Sequence, residues 1–385
     1  MTRSRGNLRS YAICAPGLER FVASELAALG IATGRIDRGG VTFRATTRQL
    51  YAANLWSRVS GRILVRLGAF TARTFASLER QAEELNWPDY VGGADPVGFR
   101  VTARKSALYH TGAVAERLAQ LLGKQPLRAS EAIRNRGLLV VVRIDHDRVT
   151  ISIDSSGAPL HQRGWRLDGA KAPMRETLAA AILAAAGWDG TRPLVDPFCG
   201  SGTLPIEAAL LARNLAPGAN REFAFTRWPS FEPGTWASVR EEARLAARAK
   251  AGIPIVAADR DMDALDATIT NAARAGVSTD LEVRQSQVSE LSPPTGSSPG
   301  LFASNPPYGR RLSGGTDLRR LYRAIGRVAH DRFPGWSVGL LVANRALGQA
   351  TGLNLDVAFR SVNGGVPVWF LQSTDASRVA VPPSR

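Results

Sequence analysis

Two short segments carry groups that could do chemistry. Residues 196–203 read DPFCGSGT, and residues 304–311 read SNPPYGRR. Each follows a run of apolar residues that predicts a buried strand, and the first also precedes a helical pattern. Neither offers a Ser/His/Asp set or the spacing of a metal site. Their chemistry is therefore expected to come from binding and positioning a ligand.

The glycine loop, residues 196–203, stands where a predicted strand meets a predicted helix, a position at which open α/β sheets bind ligands. It lacks the GxxxxGK(S/T) pattern of a P-loop, and Pro205 stands where a dinucleotide fingerprint needs its third glycine. S-adenosylmethionine (SAM) fits what remains. Gly200 and Gly202 let the backbone pass close to its methionyl part, and Asp196 can reach its amino group. An ordinary tight turn is the alternative interpretation.

Further cofactor contacts follow from the ends of the next predicted strands. Asp259 ends the second strand, where its carboxylate can accept both ribose hydroxyls. A helix N-cap is an alternative role in this segment, and the two roles are compatible. Gln287 follows the third strand and can accept a hydrogen bond from an adenine amine. The predicted cofactor set also includes Phe198, Thr203 and Asn305.

Asn305 ends another predicted strand, at the same sheet edge as the glycine loop. Pro306 and Pro307 fix the backbone and remove two N–H donors, leaving the Asn305 side-chain oxygen and the Pro306 carbonyl as acceptors. This pair suits the planar exocyclic NH2 group of a nucleobase, which it would hold while a methyl group arrives. Tyr308 would offer a stacking face, and the base must be single-stranded or flipped out. A rigid loop leaving a strand is the alternative.

Composition narrows the class of partner. The chain has 49 Lys and Arg against 33 Asp and Glu, a net charge of +16. Such an excess commonly serves a polyanion, so we expect nucleic acid, although a GC-rich genome explains the preference for Arg over Lys. There is no apolar run of ~18 residues and no signal-peptide pattern, so a cytoplasmic protein without a membrane partner is expected. Cys14 and Cys199 form no CxxC pair, and no metal site is predicted.

The order of strand and helix patterns indicates the domain organisation. Residues 9–60 and 61–154 read as two α+β units. From residue 193 onward strands and helices alternate, which is typical of a parallel, doubly wound sheet. An insertion containing FAFTRWPSFEPGTW interrupts this alternation before the second strand. A hairpin is predicted around residues 363–365.

These segments resemble a known family. DPFCGSGTLPIEAAL together with SNPPYGRRL resembles the class I SAM-dependent methyltransferases that modify exocyclic amines. Residues 161–188, HQRGWRLDGAKAPMRETLAAAILAAAGW, resemble the THUMP-containing RNA guanine-N2 methyltransferases. APGLERFVASELAALG, GGVTFRA and YAANLWSRVSGRILVRLG resemble the same group. Within it, the chain is most similar to the methyltransferase family that forms N2-methylguanosine in large-subunit (23S) rRNA.

The resemblance implies three domains and a reaction. These are a ferredoxin-like domain at residues 1–60, an RNA-binding THUMP domain at 61–157 and a Rossmann-like methyltransferase domain at 158–385 with a seventh, antiparallel strand. The implied reaction is SAM-dependent methylation of guanosine N2 in 23S rRNA. A related branch modifies tRNA, which keeps tRNA open as the substrate. A different class of function, an RNA-binding ribosome-assembly factor without turnover, is the third hypothesis.

By motif matching, the resemblance carries roles to particular residues. The cofactor roles fall on Asp196, Gly200, Gly202, Asp259 and Gln287, and the target-base roles on Asn305, Pro306 and Tyr308. Gln287 departs from the acid usual at its position, so adenine recognition would depend partly on neighbouring backbone. Basic residues that could contact RNA phosphates are Arg310 and Arg311 beside the base pocket, and Arg163, Arg166, Lys171 and Arg175. The last four could equally form a solvated surface.

Overall fold

The structure is a computed structural model that describes residues 7–93, 95–134, 137–166, 174–308 and 318–373. Lys171, Arg310 and Arg311 lie outside the described residues. The chain divides into two compact units. The first contains the chain up to Cys14, Val22–Leu160 and Asn220–Glu242. The second contains Ala15–Phe21, His161–Ala219 and the chain from Ala243 onward.

The elements up to residue 160 are, in chain order, β1 (Leu8–Ile13), α1 (Glu19–Ala28), β2 (Thr33–Asp37), β3 (Gly40–Ala45), α2 (Thr47–Trp56), β4 (Arg62–Thr71), α3 (Phe75–Glu83), β5 (Val97–Arg104), α4 (Thr111–Leu121), β6 (Leu127–Arg128), α5 (Ala129–Arg134), β7 (Leu138–Asp145) and β8 (Arg148–Asp154). They are followed by α6 (Glu176–Ala185), β9 (Leu194–Asp196), α7 (Thr203–Ala212), α8 (Pro233–Leu245), β10 (Ile255–Asp259), α9 (Met262–Ala275), β11 (Glu282–Gln285), β12 (Leu301–Ser304), α10 (Leu318–Arg332), β13 (Ser337–Val342), α11 (Arg345–Ala350), β14 (Leu355–Asn363) and β15 (Val366–Ser373).

The first unit is built on one mixed sheet. Its described strands follow the order β2-β3-β1-β4-β8-β7-β5-β6. Strand β4 pairs with β1 on one side and with β8 on the other, so the two α+β units expected from the sequence share a single sheet. Side chains alternate between its faces: Val142 and Ile151 are fully buried, whereas Arg143 is exposed. This period of two is what a sheet with one covered face requires.

The aromatic insertion recognised in the sequence packs within the first unit. Tyr51 of α2 stacks on Phe225 with ring centroids 4.3 Å apart. Phe223 stacks on Phe225 in turn at 5.2 Å, and Trp236 meets Phe225 edge to face at 5.1 Å. Because such rings bury large apolar areas, this cluster holds residues 220–242 to the first unit although they lie between two elements of the second.

The second unit contains the predicted doubly wound sheet. Its described strands follow the order β11-β10-β9-β12-β13-β15-β14. Strands β9 to β13 pair in parallel, and β15 pairs antiparallel to β13. The strand order reverses direction between β9 and β12, and ligands bind at such a switch point. The expected α/β fold class is confirmed, as is the hairpin formed by β14 and β15.

The core of the second unit explains why these segments form its strands and helices. Phe302 of β12 is fully buried and meets Phe333 edge to face at 5.0 Å. Helix α10 directs Tyr322, Ile325 and Ala329 into the same cluster, the spacing of one helical face. This packing fixes the strand ends that carry the polar residues described below. No helix in the described ranges is both long and apolar enough to cross a membrane.

Candidate functional site

Three neighbouring parallel strands bring their polar ends to one edge of the second sheet. Asp196 ends β9, Asp259 ends β10 and Ser304 ends β12. The register places Val195 beside Val256 on one side and beside Phe302 on the other. Residues predicted from three distant sequence segments therefore share the carboxyl edge of one sheet.

The glycine loop adopts a conformation that needs both of its glycines. Gly200 has φ +54°, and Gly202, the residue before α7, has φ +81°. A Cβ on Gly202 would lie 2.8 Å from Cγ2 of Thr268, whereas a Cβ on Gly200 would meet no heavy atom within 4 Å in the described structure. Gly202 is thus required by close packing behind the loop, and Gly200 faces open space in front of it.

Helix α9 supports the loop from behind. Thr268 Oγ1 donates to the Gly200 carbonyl at 2.7 Å, and Asn271 Nδ2 donates to the Ser201 carbonyl at 3.0 Å. Both side chains are buried. Sequence reasoning missed these two residues. The available signal was a pair of polar residues at i and i+3 on the buried side of an amphipathic helix, where apolar residues are expected.

Asp259 makes two contacts that orient its carboxylate. Its Oδ2 accepts the Gly200 N–H at 3.0 Å, and its Oδ1 accepts the Asp261 N–H at 3.1 Å. The N-cap of α9 is Asp261, whose side chain accepts the Asp263 N–H. The capping function considered for this segment therefore belongs to Asp261, which leaves Asp259 attached to the glycine loop. Its ribose-binding role stays a prediction.

Asp196, the first residue of the glycine loop, is buried and contacts the segment that contains Asn305. Its Oδ1 accepts hydrogen bonds from Ser304 Oγ and, at 3.1 Å, from the Phe198 N–H. Burial raises the pKa of this carboxyl to about 7, although the hydrogen bonds from Ser304 and Phe198 oppose the rise; the nearby charge of Asp259 adds to it. A carboxyl group so poorly solvated favours a nearby cation once it is ionised.

Asn305 presents an acceptor without a partner. Its Oδ1 is buried, and it has no hydrogen-bond partner among the described residues. Pro306 is buried and Pro307 is half-buried, and neither proline has an N–H to donate to that oxygen. Buried polar atoms are normally paired, and an exception indicates a ligand or a strained site.

Tyr308 is anchored rather than free. Its hydroxyl accepts a hydrogen bond from Asn363 Nδ2 at 3.0 Å, and 9% of the residue is exposed. The anchor comes from the last residue of β14, an element that the motif alone does not reveal. Stacking of a base on Tyr308 stays a prediction, since most of its ring is covered in this structure.

Gln287 lies just beyond β11 and is exposed. It lines an open depression of about 710 Å³ together with Asp261, Gln285 and Ser286. The depression lies past the ends of β10 and β11, beside Asp259. This is the side of the sheet on which the sequence placed adenine, but the role of Gln287 stays a prediction.

The basic residues expected to contact RNA fall into different environments. Arg163 is 3% exposed and pairs with the buried Glu207 at 3.2 Å. A phosphate contact for Arg163 is therefore contradicted, because its guanidinium is enclosed and already neutralised. Arg175 is exposed at the start of α6 and remains a candidate.

Arg166 belongs to the glycine loop rather than to a solvated surface. Its Nη2 donates to Thr203 Oγ1 at 2.7 Å, and its Nε pairs with Glu176 Oε1 at 2.7 Å. Burial raises the pKa of the Glu176 carboxyl, and the charge of Arg166 opposes that rise. Arg166 thus connects the starts of α6 and α7, and the alternative of a solvated surface does not hold for it. The phosphate contact stays a prediction for Arg166, since 18% of its side chain is exposed.

The remaining predicted residues have supporting positions. Phe198 is half-buried against the core beneath β12. Thr203 is the first residue of α7 and is buried. Cys199 is buried against α9, and burial raises the pKa of its thiol further above the usual range.

Comparison with known proteins gives these residues a family. Residues 163–369 match the family described as RMKL-like, methyltransferase domain. The chain belongs to the RMKL-like methyltransferase family. Residues 9–64 match the RlmL ferredoxin-like domain, and residues 72–154 match the THUMP domain. The resemblance stated from the motifs is confirmed, while the linear boundaries at 1–60, 61–157 and 158–385 stay a prediction.

Individual relatives of this RMKL-like chain extend the comparison. A Vibrio campbellii protein named ribosomal RNA large subunit methyltransferase K/L is 35% identical over 365 residues, which cover 92% of this chain and 52% of that protein. A putative RNA methyltransferase, slr0064 of Synechocystis sp., is 31% identical over 94% of this chain and 95% of its own length. The chain spans about half the length of the K/L relatives.

A solved structure shares the whole RMKL-like architecture. The putative methyltransferase SMU.472, crystallised in complex with SAH, has a TM-score of 0.84 and is 28% identical. The alignment covers 98% of this chain and all of that one. Both the first unit and the second unit therefore have counterparts in one experimentally determined chain.

Proposed function

We propose that this protein transfers a methyl group from SAM to the exocyclic N2 of a guanosine in 23S rRNA. The observation that carries the proposal is the Oδ1 of Asn305, which is buried beside Pro306 and has no hydrogen-bond partner among the described residues. An acceptor kept unsatisfied at the carboxyl edge of the sheet suits an incoming amine. The names of the K/L relatives and the match to the THUMP family support RNA, and ribosomal RNA in particular, as the source of that amine.

SAM fits the glycine-loop side of the edge. Gly200 leaves open space where a Cβ would stand, and Asp196 is a buried carboxyl that lacks a cation among the described residues. Asp196 would bind the amino group, Gly200 and Gly202 would lie against the methionyl part, and Asp259 would bind the ribose. The proposed cofactor set is completed by Phe198, Thr203, Gln287 and Asn305. When bound, SAM supplies a methyl group attached to a positively charged sulfur.

The protein's contribution to transfer is to hold the target amine. Its lone pair is delocalised into the guanine ring, so it is a weak nucleophile. The Asn305 side-chain oxygen and the Pro306 carbonyl would accept its two hydrogens and stabilise positive charge as it develops on nitrogen. The two prolines keep these acceptors fixed, which lowers the cost of orienting the base. Tyr308, anchored by Asn363, would bound the pocket that receives a flipped-out base.

Contacts with RNA are proposed for Arg175, and for Lys171, Arg310 and Arg311, which lie outside the described residues. Arg163 is excluded from that set by its buried ion pair, whereas Arg166 pairs with Glu176 and keeps 18% of its side chain exposed. We also propose a cytoplasmic location, since the curated relatives are named for modification of ribosomal RNA. The positive net charge supports a polyanionic partner.

The test is methyl transfer from labelled SAM to separated RNA pools taken from a strain that lacks this gene. Nucleoside mass spectrometry of the product identifies the modified base. N2-methylguanosine in 23S rRNA is the expected result, and the Asn305→Ala variant is the negative control. The same nucleoside in tRNA alone would overturn the choice of substrate. SAM binding without transfer to any RNA or to ribosomal particles would overturn the enzyme and favour the assembly factor.

A further inference from the structure

One face of the sheet in the first unit carries several exposed arginines. Arg9 of β1 lies directly opposite Arg44 of β3, and both are exposed. Arg100 of β5 and Arg148 of β8 are exposed on the same face, as the register through β7 shows. Arg66 of β4 is half-buried there, with its guanidinium 4.7 Å from the centre of the Tyr11 ring. We call Arg9, Arg44, Arg66, Arg100 and Arg148 the arginine face.

The carboxylates near this face are paired with other arginines. Asp37 pairs with Arg35 at 2.8 Å, and Asp145 pairs with Arg104 and Arg143 at 3.2 Å each. Within the described part of the chain, none of the five residues of the arginine face makes a salt bridge. The direct Arg9–Arg44 pair is costly in itself, because like charges opposite each other destabilise a sheet. A bound anion would offset that cost.

Four of the five residues surround one depression. Arg9, Arg44, Arg66 and Arg148 line an open hollow of about 660 Å³. Burial lowers the pKa of the Arg66 guanidinium, and the cations of Arg35 and Arg143 act in the same direction against the favourable influence of Tyr11 and Asp37. Four cationic side chains therefore line one hollow.

We propose that the arginine face binds the phosphate backbone of duplex RNA. This inference rests on the proposed function for the identity of the polyanion. From β3 to β5 the face crosses five strand intervals, about 24 Å at the usual spacing of ~4.8 Å, enough to meet several phosphates. Sheets that bind single strands present aromatic rings to successive bases. Here Tyr11 lies beneath Arg66, so the face offers charge without a stacking platform.

Two matched variants distinguish binding by the arginine face from a general effect of positive charge. The test variant carries Arg9→Ala, Arg44→Ala and Arg148→Ala. The control carries Arg80→Ala, Arg128→Ala and Arg240→Ala, which removes the same charge from exposed positions off the face. Arg80 lies on α3 and Arg240 lies on α8. Arg128 is on β6 and points to the same side of the sheet as Phe99, which is the side opposite the arginine face. Thermal unfolding of both variants confirms that the fold is retained.

The probes are a labelled 20-base-pair RNA duplex and a 20-nucleotide single strand, measured over a series of salt concentrations. The test variant is expected to bind the duplex roughly 10- to 100-fold more weakly at low salt. Its salt dependence, the slope of log K against log salt, should be shallower by about 2–3. The control should stay within about threefold of the wild type. A third variant with Lys at the three positions should recover most of the affinity.

Equal losses in the test and control variants would overturn the proposal, as would a loss confined to the single strand. Methyl transfer is measured separately to keep the two proposals distinguishable. If both hold, the test variant has a raised KM for RNA and an unchanged kcat. If the protein transfers no methyl group but duplex binding still depends on the arginine face, the proposed activity fails and the docking surface stands.

Discussion

The glycine loop and the segment around Asn305 lie at the same sheet edge, but they differ in how their polar groups are hydrogen-bonded. In the loop, the Gly200 carbonyl, the Gly200 N–H and the Ser201 carbonyl are bound by Thr268, Asp259 and Asn271. In the other segment, the buried Asn305 Oδ1 has no partner among the described residues. Three backbone groups of the loop are thus paired within the protein, whereas the Asn305 oxygen finds no partner in the part of the chain that the structure describes.

This difference indicates separate roles, with the loop shaping the cofactor pocket and Asn305 binding the substrate. A loop whose backbone is already hydrogen-bonded can shape a cofactor pocket at little further entropic cost. An unsatisfied acceptor costs stability, and it is retained where its partner arrives with a substrate. Substitutions in the loop should therefore reduce folding stability and SAM binding, while substitution of Asn305 should reduce turnover without lowering folding stability.

The largest expected effect follows from Asn305→Ala. We expect turnover to fall by roughly 10²–10³-fold, as when a positioned group that stabilises transition-state charge is removed. SAM affinity should stay within about threefold, because the loop is held by other residues. Single-turnover methyl transfer and calorimetric SAM binding measure the two quantities.

The control for Asn305→Ala is Asn354→Ala, which removes the same side chain from an exposed position of the same unit. It should leave both quantities unchanged. Undiminished turnover in Asn305→Ala would break the comparison, because the unpartnered oxygen would then have no part in the reaction.

The next effect tests the packed side of the loop. Gly202→Ala should lower the free energy of unfolding by about 2–3 kcal/mol, since the residue has φ +81° and its Cβ would lie 2.8 Å from Thr268. Gly200→Ala should cost only about 1 kcal/mol, because it has the conformational penalty without the clash. Urea unfolding of the two variants gives the difference. Equal losses would show that packing by α9 does not shape the loop.

The parts of this site that the sequence could predict are the parts read from contiguous residues. Asp196, Gly200 and Gly202 stand together in one motif, Asn305 and Pro306 in another, and the alternation of strands and helices places both at one sheet edge. Thr268 and Asn271 were missed because the sequence of α9 does not indicate which distant carbonyls their side chains bind. The single sheet of the first unit was missed for a similar reason: strand pairing across the interval between predicted units leaves no local signal.

The arginines near residue 165 show a further limit. Arg163 and Arg166 sit in a polar, basic stretch that reads as surface, but each meets a carboxylate that the sequence places elsewhere. Glu207 lies 44 positions from Arg163, and Glu176 lies ten positions from Arg166. Charge composition reports how many cations a segment has, and only the fold reports which of them are neutralised.

Arg166→Met tests whether this pairing supports the loop. The substitution leaves Glu176 buried without its partner and should cost about 2 kcal/mol, less than a fully enclosed pair because Arg166 is 18% exposed. Adding Glu176→Gln should recover at least half of the loss. Urea unfolding and binding of the RNA duplex are measured together. Unchanged stability with weakened RNA binding would return Arg166 to the RNA surface.

The smallest expected effect concerns Asp196, which connects the two segments through Phe198 and Ser304. Its pKa of about 7 lies above the ordinary value, so the unligated native state holds this proton more tightly than the unfolded chain. Ionisation therefore costs the unligated protein stability as pH rises from about 4 to 7. A cationic amino group beside the carboxylate reverses that preference, so SAM should bind more tightly as pH rises through 7.

Between pH 6 and 7.5 the SAM dissociation constant should fall roughly five- to tenfold, the change expected from ionising one group of pKa near 7. Most of this window lies below the pKa of a typical α-amino group, about 7.7–8.0, so the ligand stays mainly cationic. Asp196→Asn should bind more weakly at every pH and show no such dependence, because an amide cannot ionise. A SAM dissociation constant that does not change with pH in the wild type would show that Asp196 does not bind the cofactor. Its hydrogen bond to Ser304 would then have a structural role only.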